Sequence, residues 1–524
     1  MPPATRPPYK GTRRKLVLAF DVGTTYSGIS YSILDPGRVP EVKGVTRFPA
    51  HEQTNGSSKI PTLIYYNEDE EACAVGVRYT HANGTRLWSS VEDSIDFVLS
   101  HPNGWEGAEQ NQIRKAAVLA GLIPDNPSGH ARITFVTEGE ASLHFAIQQG
   151  VLVEAMEEGN AVVVVDAGGG TIDVSSYTRR QSTGAFEEVA PTRGSFKISS
   201  NDDFSAKETL RLFSRISVCL HPCSGILAIL LGRVPYLDDI EHIVECFDDT
   251  TKIRFKSDTK PQYIKFGSTR DNDATYNIRF GQLKLDGADV AGFFRPSVQC
   301  IVNAVLEQRR LSRPIVQSVL MVGGFASNDW LLENVQIELG KYGLNVFRSE
   351  EHINKAVSDG AVSFYLDNVV RVRVSKATLG TLSSVEYNRK DPDHISRAKS
   401  IFLDHSGDKR LPDRFNIILR KNTQVSEATE FRQRFGRVYS NRSDLRTVST
   451  VIWCYRGTTS NPVWKSDDPG HYSEFCTVTT DLSHIQIKPK KNDKGDLYYR
   501  LEYDLVLLFG FTEIQAQIAW KENV

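Results

Sequence analysis

The order of apolar and polar residues predicts alternating strands and helices up to about residue 368. Apolar runs typical of strands lie at Lys15–Phe20, Gly28–Ile33, Thr62–Tyr66 and Ala161–Val165, and the last has the unbroken β-branched character of a strand buried on both faces. Apolar residues recur at helical spacing at Gln112–Ala120, Glu140–Met156 and Val290–Leu306. Because strands that alternate with helices form layered sheets, this region is predicted to be α/β.

The pattern changes after residue 368, where strand-like runs follow one another with few helical stretches. These runs lie at Val369–Val374, Phe415–Leu419, Thr447–Tyr455, Phe475–Thr480 and Leu497–Leu508. A separate C-terminal β-rich module, residues 368–524, is the simplest interpretation. Residues 1–15, rich in Pro, Arg and Lys, are predicted to form a disordered tail.

Composition narrows the class of protein. The 524 residues exceed the roughly 250–300 residues that one hydrophobic core serves, so several domains are expected. The near balance of 62 basic and 64 acidic residues favours neither nucleic acid nor an anionic membrane surface as a partner.

The first apolar run is too short for a signal peptide, and no membrane span is predicted, so a cytoplasmic or nuclear location is expected. The seven cysteines lack the paired spacing of a zinc site and are expected to be reduced.

Two distant segments repeat one order of residue types: an apolar strand, an aspartate, a glycine-rich turn and a second strand. They read Asp21-Val-Gly23-Thr24-Thr25-Tyr26 and Asp166-Ala-Gly168-Gly169-Gly170-Thr171-Ile-Asp173. Glycine permits positive φ and close approach, so successive N–H groups can point at phosphate oxygens, and threonine hydroxyls add donors. Either segment alone predicts only a hairpin with a glycine turn. The duplication favours a pair of phosphate clasps.

An aspartate ends each leading strand, at Asp21 and Asp166. A carboxylate beside a phosphate chain is tolerated when a divalent cation or its waters neutralise the repulsion. The sequence therefore predicts magnesium at Asp21 and Asp166, held through water. No Gly-x4-Gly-Lys-Ser/Thr pattern occurs, which excludes the commonest alternative phosphate-binding loop.

A third glycine turn, Gly323-Gly324-Phe325, follows the apolar run Val319–Val322. A helix is predicted to begin after it, with Ser327 or Asn328 as the N-cap. Alone this is an ordinary strand-to-helix turn. As the third element in order, it is placed to pack under an adenosine.

Together the three segments resemble the phosphate-1, phosphate-2 and adenosine motifs of the actin, hexokinase and heat-shock-70 superfamily. The two aspartate segments are most similar to those of the 70-kDa heat-shock chaperones. Further segments resemble the divergent branch that includes heat-shock-70-like protein 12 and its fungal relatives. These are Thr137–Ala141, Gln262–Gly267, Lys355–Ala361 and Phe509–Trp520.

This resemblance implies two ribonuclease-H-like lobes, residues 16–160 and 161–367, with ATP or ADP and magnesium in the cleft between them. The clasp and adenosine positions are matched by Gly23, Thr24, Thr25 and Tyr26, by Gly168, Gly169, Gly170 and Thr171, and by Gly323, Gly324 and Phe325. Asp21 and Asp166 match the carboxylates that hold hydrated magnesium. Glu138 matches the glutamate of the connecting segment, which with Asp166, Thr171 and Asp173 would serve phosphoryl transfer to water. Alternatively, Glu138 is only a carboxylate in the first turn of a helix, where its negative charge interacts favourably with the helix dipole.

Two stretches depart from the family's pattern. The chain passes directly from Ala74 to Trp88 without the subdomain that carries the family's γ-phosphate lysine, and Arg78 and Lys115 are conceivable substitutes or surface charges. The second departure lies between about Lys197 and Tyr236, where the family has its adenine-contacting helix. This chain instead has the segment Ser217–Arg233, which contains an apolar run. A mispredicted coding region would account for both departures.

Three functions therefore stay open. The first is a chaperone-like ATPase whose nucleotide state controls lobe closure and the binding of polypeptide clients or co-chaperones. The second is a nucleotide-binding or nucleotide-free scaffold that retains the fold without turnover, and the missing lysine distinguishes it from the first. The third is a small-molecule kinase, which requires a substrate-binding aspartate between the lobes that the sequence does not reveal.

Overall fold

The structure is a computed structural model. It describes residues 6–23, 26–46, 59–62, 64–66, 72–75, 94–152, 160–168, 171–180, 182–194, 242–243, 246–349, 355–426, 429–483, 485, 487–510 and 513–520. The chain divides into two compact units, Met1–Trp105 with Arg114–Val370, and Glu106–Ile113 with Arg371–Val524. The boundaries suggested by the sequence at residues 15, 160 and 367 stay predictions.

Strands and helices alternate through the first unit, and strands dominate the second. The strands are β1 (Lys15–Val22), β2 (Tyr26–Leu34), β3 (Lys43–Gly44), β4 (Ile60–Pro61), β5 (Ile64–Tyr66), β6 (Ala72–Val75), β7 (Ile95–His101), β8 (Ile133–Thr137), β9 (Asn160–Ala167), β10 (Ile172–Arg179), β11 (Phe186–Arg193), β12 (Gln262–Lys265), β13 (Ile278–Arg279), β14 (Gln282–Leu285), β15 (Ile315–Val322), β16 (Asn345–Arg348), β17 (Val370–Val374), β18 (Thr378–Glu386), β19 (Phe402–Leu403), β20 (Lys409–Leu419), β21 (Gln424–Ser426), β22 (Glu430–Tyr439), β23 (Thr447–Tyr455), β24 (Tyr472–Asp481), β25 (Lys490–Lys491), β26 (Leu497–Phe509) and β27 (Ile514–Ala519). The helices are α1 (Gly107–Leu119), α2 (Pro127–His130), α3 (Glu138–Gln148), α4 (Lys252–Arg254), α5 (Gly287–Leu311), α6 (Asp329–Gly340), α7 (Ala356–Asp367) and α8 (Pro392–Ser396), with a π-helical turn at Phe247–Thr251. The α/β class is confirmed.

Two sheets of the first unit share one strand order. In the first, β2 lies antiparallel between β3 and β1, and β7 and β8 continue parallel to β1. In the second, β10 lies antiparallel between β11 and β9, and β15 and β16 continue parallel to β9. Each sheet therefore contains an antiparallel meander followed by two parallel strands, and the two aspartate segments occupy equivalent hairpins.

The β9 strand is buried on both faces, as its β-branched run predicts. Val163 and Val165 belong to the core beneath α5 and α6, whereas Val162 and Val164 belong to the core that contains residues of α3. Alternation along a strand sends successive side chains to opposite faces, so each face of β9 contributes to a different core. The clasp that follows β9 is thus mounted on a strand held from both sides.

Helices α3 and α7 cross at very close range. A Cβ atom on Gly360 of α7 would overlap the carbonyl oxygen of Ala141 in α3 and would lie 2.5 Å from its carbonyl carbon. Ala141, Ala361 and Val362 join Val17 of β1 in one core cluster. The crossing therefore sets the position of α3, and with it the position of Glu138 at its first residue.

The second unit contains antiparallel sheets with the orders β19-β20-β18-β23-β24 and β22-β26-β25, with β27 also paired to β26. Leu379, Ile452, Leu505 and Leu507 from both sheets share one core. The strand runs predicted from the sequence overlap β17, β20, β23, β24 and β26.

Arg6, which lies in the segment predicted to be a disordered tail, forms an ion pair with Asp367 at 2.8 Å and is largely buried. Two local expectations are corrected. The helix expected to run to Met156 ends at Gln148, because Gly150 adopts a positive φ of 72° in the turn that follows; residues 153–159 lie outside the described part. Of the strand expected at Thr62–Tyr66, the structure contains β5 at Ile64–Tyr66, which pairs with β6, and Thr62 lies outside any strand.

No helix in the described ranges is both long and apolar enough to cross a membrane. Among the cysteines that the structure describes, Cys246, Cys300, Cys454 and Cys476, none forms a disulfide.

Candidate functional site

The first aspartate hairpin presents a buried carboxylate at the end of β1. Asp21 is only 4% exposed and lies opposite Gly28 in the β1–β2 pairing. Gly23 begins the turn, where a Cβ atom would stand 2.7 Å from the carbonyl oxygen of Tyr26, so the turn requires glycine. Tyr26 begins β2 and is partly exposed. Thr24 and Thr25, the other predicted clasp residues, lie outside the described residues.

The second hairpin has the same construction. Asp166 of β9 lies directly opposite Asp173 of β10, and both are buried. The N–H of Gly168 donates to the carbonyl oxygen of Thr171 at 3.0 Å, which closes the turn. Gly169 and Gly170, predicted to contact phosphate, lie outside the described part of the chain.

The third glycine turn packs directly against the second hairpin. Gly323 has a φ of 93°, and a Cβ atom there would overlap Asp166 Oδ1 and lie 2.5 Å from the carbonyl oxygen of Ala167. Only glycine satisfies both conditions. Gly324 is exposed and Phe325 is almost buried. The predicted N-cap is confirmed, because Asn328 Oδ1 accepts the N–H of Leu331 at 2.8 Å.

Glu138 is the first residue of α3, behind the N-cap Thr137. Burial, followed by the charges of Asp173, Asp166 and Asp21, raises the pKa of Glu138 well above its ordinary value, while Lys59 opposes the rise. A carboxylate in a first helical turn has a structural explanation by itself. Its proximity to three further acids from two hairpins shows that the fold has brought the predicted acidic residues together.

Asp166 is the second acid of this group whose pKa is raised. Burial, then the nearby charges of Asp173 and Asp21, raises the pKa of Asp166 to about 7, against the opposing charge of Lys59 and a hydrogen bond from Ser142. Ser142 Oγ donates to Asp166 Oδ2 at 3.2 Å. The part of both pKa rises that comes from neighbouring carboxylates would be reduced by an added positive charge, whereas the larger part comes from burial.

Two residues of this region were not found by sequence reasoning. Lys59 Nζ lies 2.6 Å from Asp21 Oδ2. Asn103 is fully buried; its backbone N–H donates to Asp173 Oδ1 at 2.7 Å, and its side-chain oxygen accepts the N–H of Gly139 at 3.1 Å. Asn103 follows strand β7 in a short loop, where functional residues often lie, and this was the available signal. Lys59 stands in a Ser-Ser-Lys-Ile-Pro-Thr string with no recognisable spacing.

Neither residue suggested as a substitute for the missing γ-phosphate lysine is seen beside the acidic residues. Lys115 is exposed on α1, and Arg78 lies outside the described residues. The stretch from Lys197 to Tyr236 lies outside them as well. Beside the third turn, however, the buried Lys252 places Nζ 5.0 Å from the centre of the Phe325 ring, and it pairs with Asp248 at 2.9 Å.

In the ranges that the structure covers, no group of three or more His, Cys, Asp or Glu side chains is arranged to hold a metal ion. Magnesium at Asp21 and Asp166 therefore stays a prediction.

These features define an α/β protein in which two equivalent glycine hairpins and a third glycine turn surround one acidic cluster. No protein-family profile matches the chain. The chain is similar to heat shock 70 kDa protein 12B of Homo sapiens, with 24% identity over 491 residues, covering 81% of this chain and 68% of that protein. It is thus a distant relative of the heat-shock-70-like proteins of the actin-like ATPase superfamily, which confirms the resemblance seen in its motifs.

Proposed function

We propose that the protein binds ATP with magnesium between two ribonuclease-H-like lobes, and that the bound nucleotide controls lobe closure. The observation that carries this proposal is the convergence of Asp21, Glu138, Asp166 and Asp173 beside the glycine turns. The distant relationship to a heat-shock-70 protein supports nucleotide binding in general.

Two lobes are supported by the repeated strand order. Each sheet presents its aspartate at the turn of the hairpin formed by its first two strands, so the two clasps are equivalent. Helices α3 and α7, which cross at Gly360, connect these parts of the unit. A small shift at this crossing would serve as the hinge for closure, because tightly packed helices move as bodies.

The acidic cluster fits a nucleotide that brings its own cation. Burial, and after it the excess negative charge of four neighbouring carboxylates against one lysine, raises the pKa values of Glu138 and Asp166. Asp21 and Asp166 would hold magnesium through its waters. Magnesium would neutralise charge between these carboxylates and the phosphate chain. The amides of the Gly23 and Gly168 turns would donate to phosphate oxygens.

Hydrolysis would use Glu138, Thr171 and Asp173. Glu138 would orient a water molecule and accept its proton, a role that a raised carboxyl pKa favours. The water oxygen would bond to the γ-phosphorus as the bond to the bridging oxygen breaks, which releases ADP and phosphate. Asp173, held by the N–H of Asn103, would keep the hairpin beside Glu138.

Titration calorimetry with ATP and magnesium tests the site. The wild-type protein is expected to bind, and Asp166→Ala is expected to abolish binding. Asp125→Ala removes an exposed aspartate that pairs with His130 and serves as the matched control. Equal affinity of the Asp166→Ala and wild-type proteins for ATP contradicts the assignment.

The sequence departure after Arg78 favours a second candidate, a scaffold that binds nucleotide without turnover. Single-turnover hydrolysis separates the two, because the ATPase loses its rate in Glu138→Ala whereas the scaffold shows the same background rate in both proteins. A small-molecule kinase would transfer label from ATP to a member of a sugar panel. The leading proposal also includes polypeptide clients or co-chaperones as partners and a cytoplasmic or nuclear location.

A further inference from the structure

We propose that Lys59 recognises the terminal phosphate of ATP in this site and replaces the lysine that the chain lacks after Arg78. This inference rests on the proposed nucleotide binding and adds the residue that distinguishes ATP from ADP.

The position of Lys59 is determined by the first clasp. Lys59 directly precedes β4, in which Ile60 pairs with Ser27 of β2. Ser27 Oγ and Thr62 Oγ1 are joined by a hydrogen bond of 2.8 Å, which adds a side-chain link beside this pairing. Because Ser27 lies just after the clasp turn, the backbone of Lys59 is held at the edge of the phosphate-binding hairpin.

The side chain of Lys59 reaches into the site across a glycine. A Cβ atom on Gly28 would lie 3.4 Å from Lys59 Cε, so the lysine stem passes over a position without a side chain. Its ammonium lies 2.6 Å from Asp21 Oδ2, where the side chains of Lys59 and Asp21 are 21% and 5% exposed. This pair is therefore directed inward, unlike the exposed ion pairs of the surface.

The charge of Lys59 acts on the whole acidic cluster. It opposes the negative charges around both Glu138 and Asp166, the two acids expected to stand beside the reacting phosphate and the cation. A lysine ammonium is a compact charge on a flexible stem. If a hydrated cation neutralised Asp21, the ammonium would be released from this ion pair and would bind the terminal phosphate of ATP. ADP ends one phosphate earlier and offers no such partner.

A purely structural salt bridge predicts a different result. Such a pair would stabilise the fold, and its removal would weaken ATP and ADP binding alike. Recognition of the terminal phosphate instead predicts a change in the ratio of the two affinities.

The experiment measures the affinities of wild-type, Lys59→Met, Lys59→Arg and Lys43→Met proteins for ATP and for ADP, each with magnesium. Lys59→Met is expected to weaken ATP binding about tenfold or more, as for loss of a charge-assisted hydrogen bond, and to leave ADP within about twofold. Lys59→Arg is expected to retain a preference for ATP. Lys43→Met removes an exposed lysine paired with Glu41 and is expected to match the wild type.

The possible outcomes separate the two proposals. A wild-type protein that binds neither nucleotide contradicts the proposed function. If the wild type binds and Lys59→Met keeps the same ratio of ATP to ADP affinity, or loses both equally, the assignment of Lys59 is wrong.

A measurement on the wild type avoids dependence on the folding of variants. Acetylation of Lys59 by an amine-reactive reagent, followed by peptide mass spectrometry, is expected to be slowed more by ATP than by ADP. Equal protection by the two nucleotides overturns the proposal.

Discussion

Replacement of Gly323 tests whether the third turn supports the acidic cluster. In Gly323→Ala, two costs add. The positive φ of 93° is unfavourable for alanine by roughly 1–2 kcal/mol. The added methyl group would also overlap Asp166 Oδ1 and the backbone of Ala167, and overpacking of this kind costs about 1–3 kcal/mol. The expected loss in the free energy of unfolding is therefore about 2–5 kcal/mol.

A matched control separates these two costs. Gly121 also has a positive φ, 69°, but a Cβ atom there meets nothing within 4 Å. Gly121→Ala should therefore lose only the backbone contribution, roughly 1–2 kcal/mol. Urea unfolding followed by tryptophan fluorescence measures both losses, since Trp330 is buried in the helix after the Gly323 turn.

Nucleotide binding provides the second readout. Gly323→Ala must move the Asp166 carboxylate or the turn, so it is expected to weaken ATP binding at least tenfold, whereas Gly121→Ala is expected to bind as the wild type does. Equal stability losses for the two variants, together with unchanged ATP affinity, would refute the packing of Gly323 against Asp166.

Three further predictions concern the same unit. Gly360→Ala should destabilise the protein by roughly 3 kcal/mol or more because its methyl group meets the α3 backbone. Gly292→Ala, in the interior of α5 with open space around it, should instead stabilise the protein by about 0.5–1 kcal/mol, and similar urea midpoints for the two variants would contradict the helix crossing. Without nucleotide or divalent cations, the free energy of unfolding should fall as the pH rises from 3.8 to about 7, because folded Asp166 holds its proton more tightly than the unfolded chain does. Asp166→Asn should flatten this slope in pH-dependent unfolding. An unchanged slope would disprove the raised pKa of Asp166. Asn103→Ala should lower the free energy of unfolding by about 1–3 kcal/mol, because the buried Gly139 N–H loses its acceptor. The variant should also slow single-turnover hydrolysis more than it weakens ATP binding. Equal effects on hydrolysis and on ATP binding would indicate a merely structural role for Asn103.

Much of the local structure could be read from the sequence. Both glycine hairpins, the doubly buried β9 strand and the N-cap at Asn328 follow from hydrophobic spacing and turn chemistry, which act between near neighbours in the chain. The end of α3 was misjudged because apolar residues continue past Gln148, while the positive φ at Gly150 ends the helix. Periodicity does not reveal this backbone conformation.

The local order of residues predicts that two aspartate hairpins exist and that they repeat. Which side chains meet there depends on contacts made by the folded chain. Lys59 reaches Asp21 because β4 pairs with β2, and Asn103 joins Asp173 to Gly139 because the loop after β7 meets the second hairpin. These contacts join residues distant in the chain, and they depend on strand order and helix crossing, which a local pattern of apolar and polar residues does not encode.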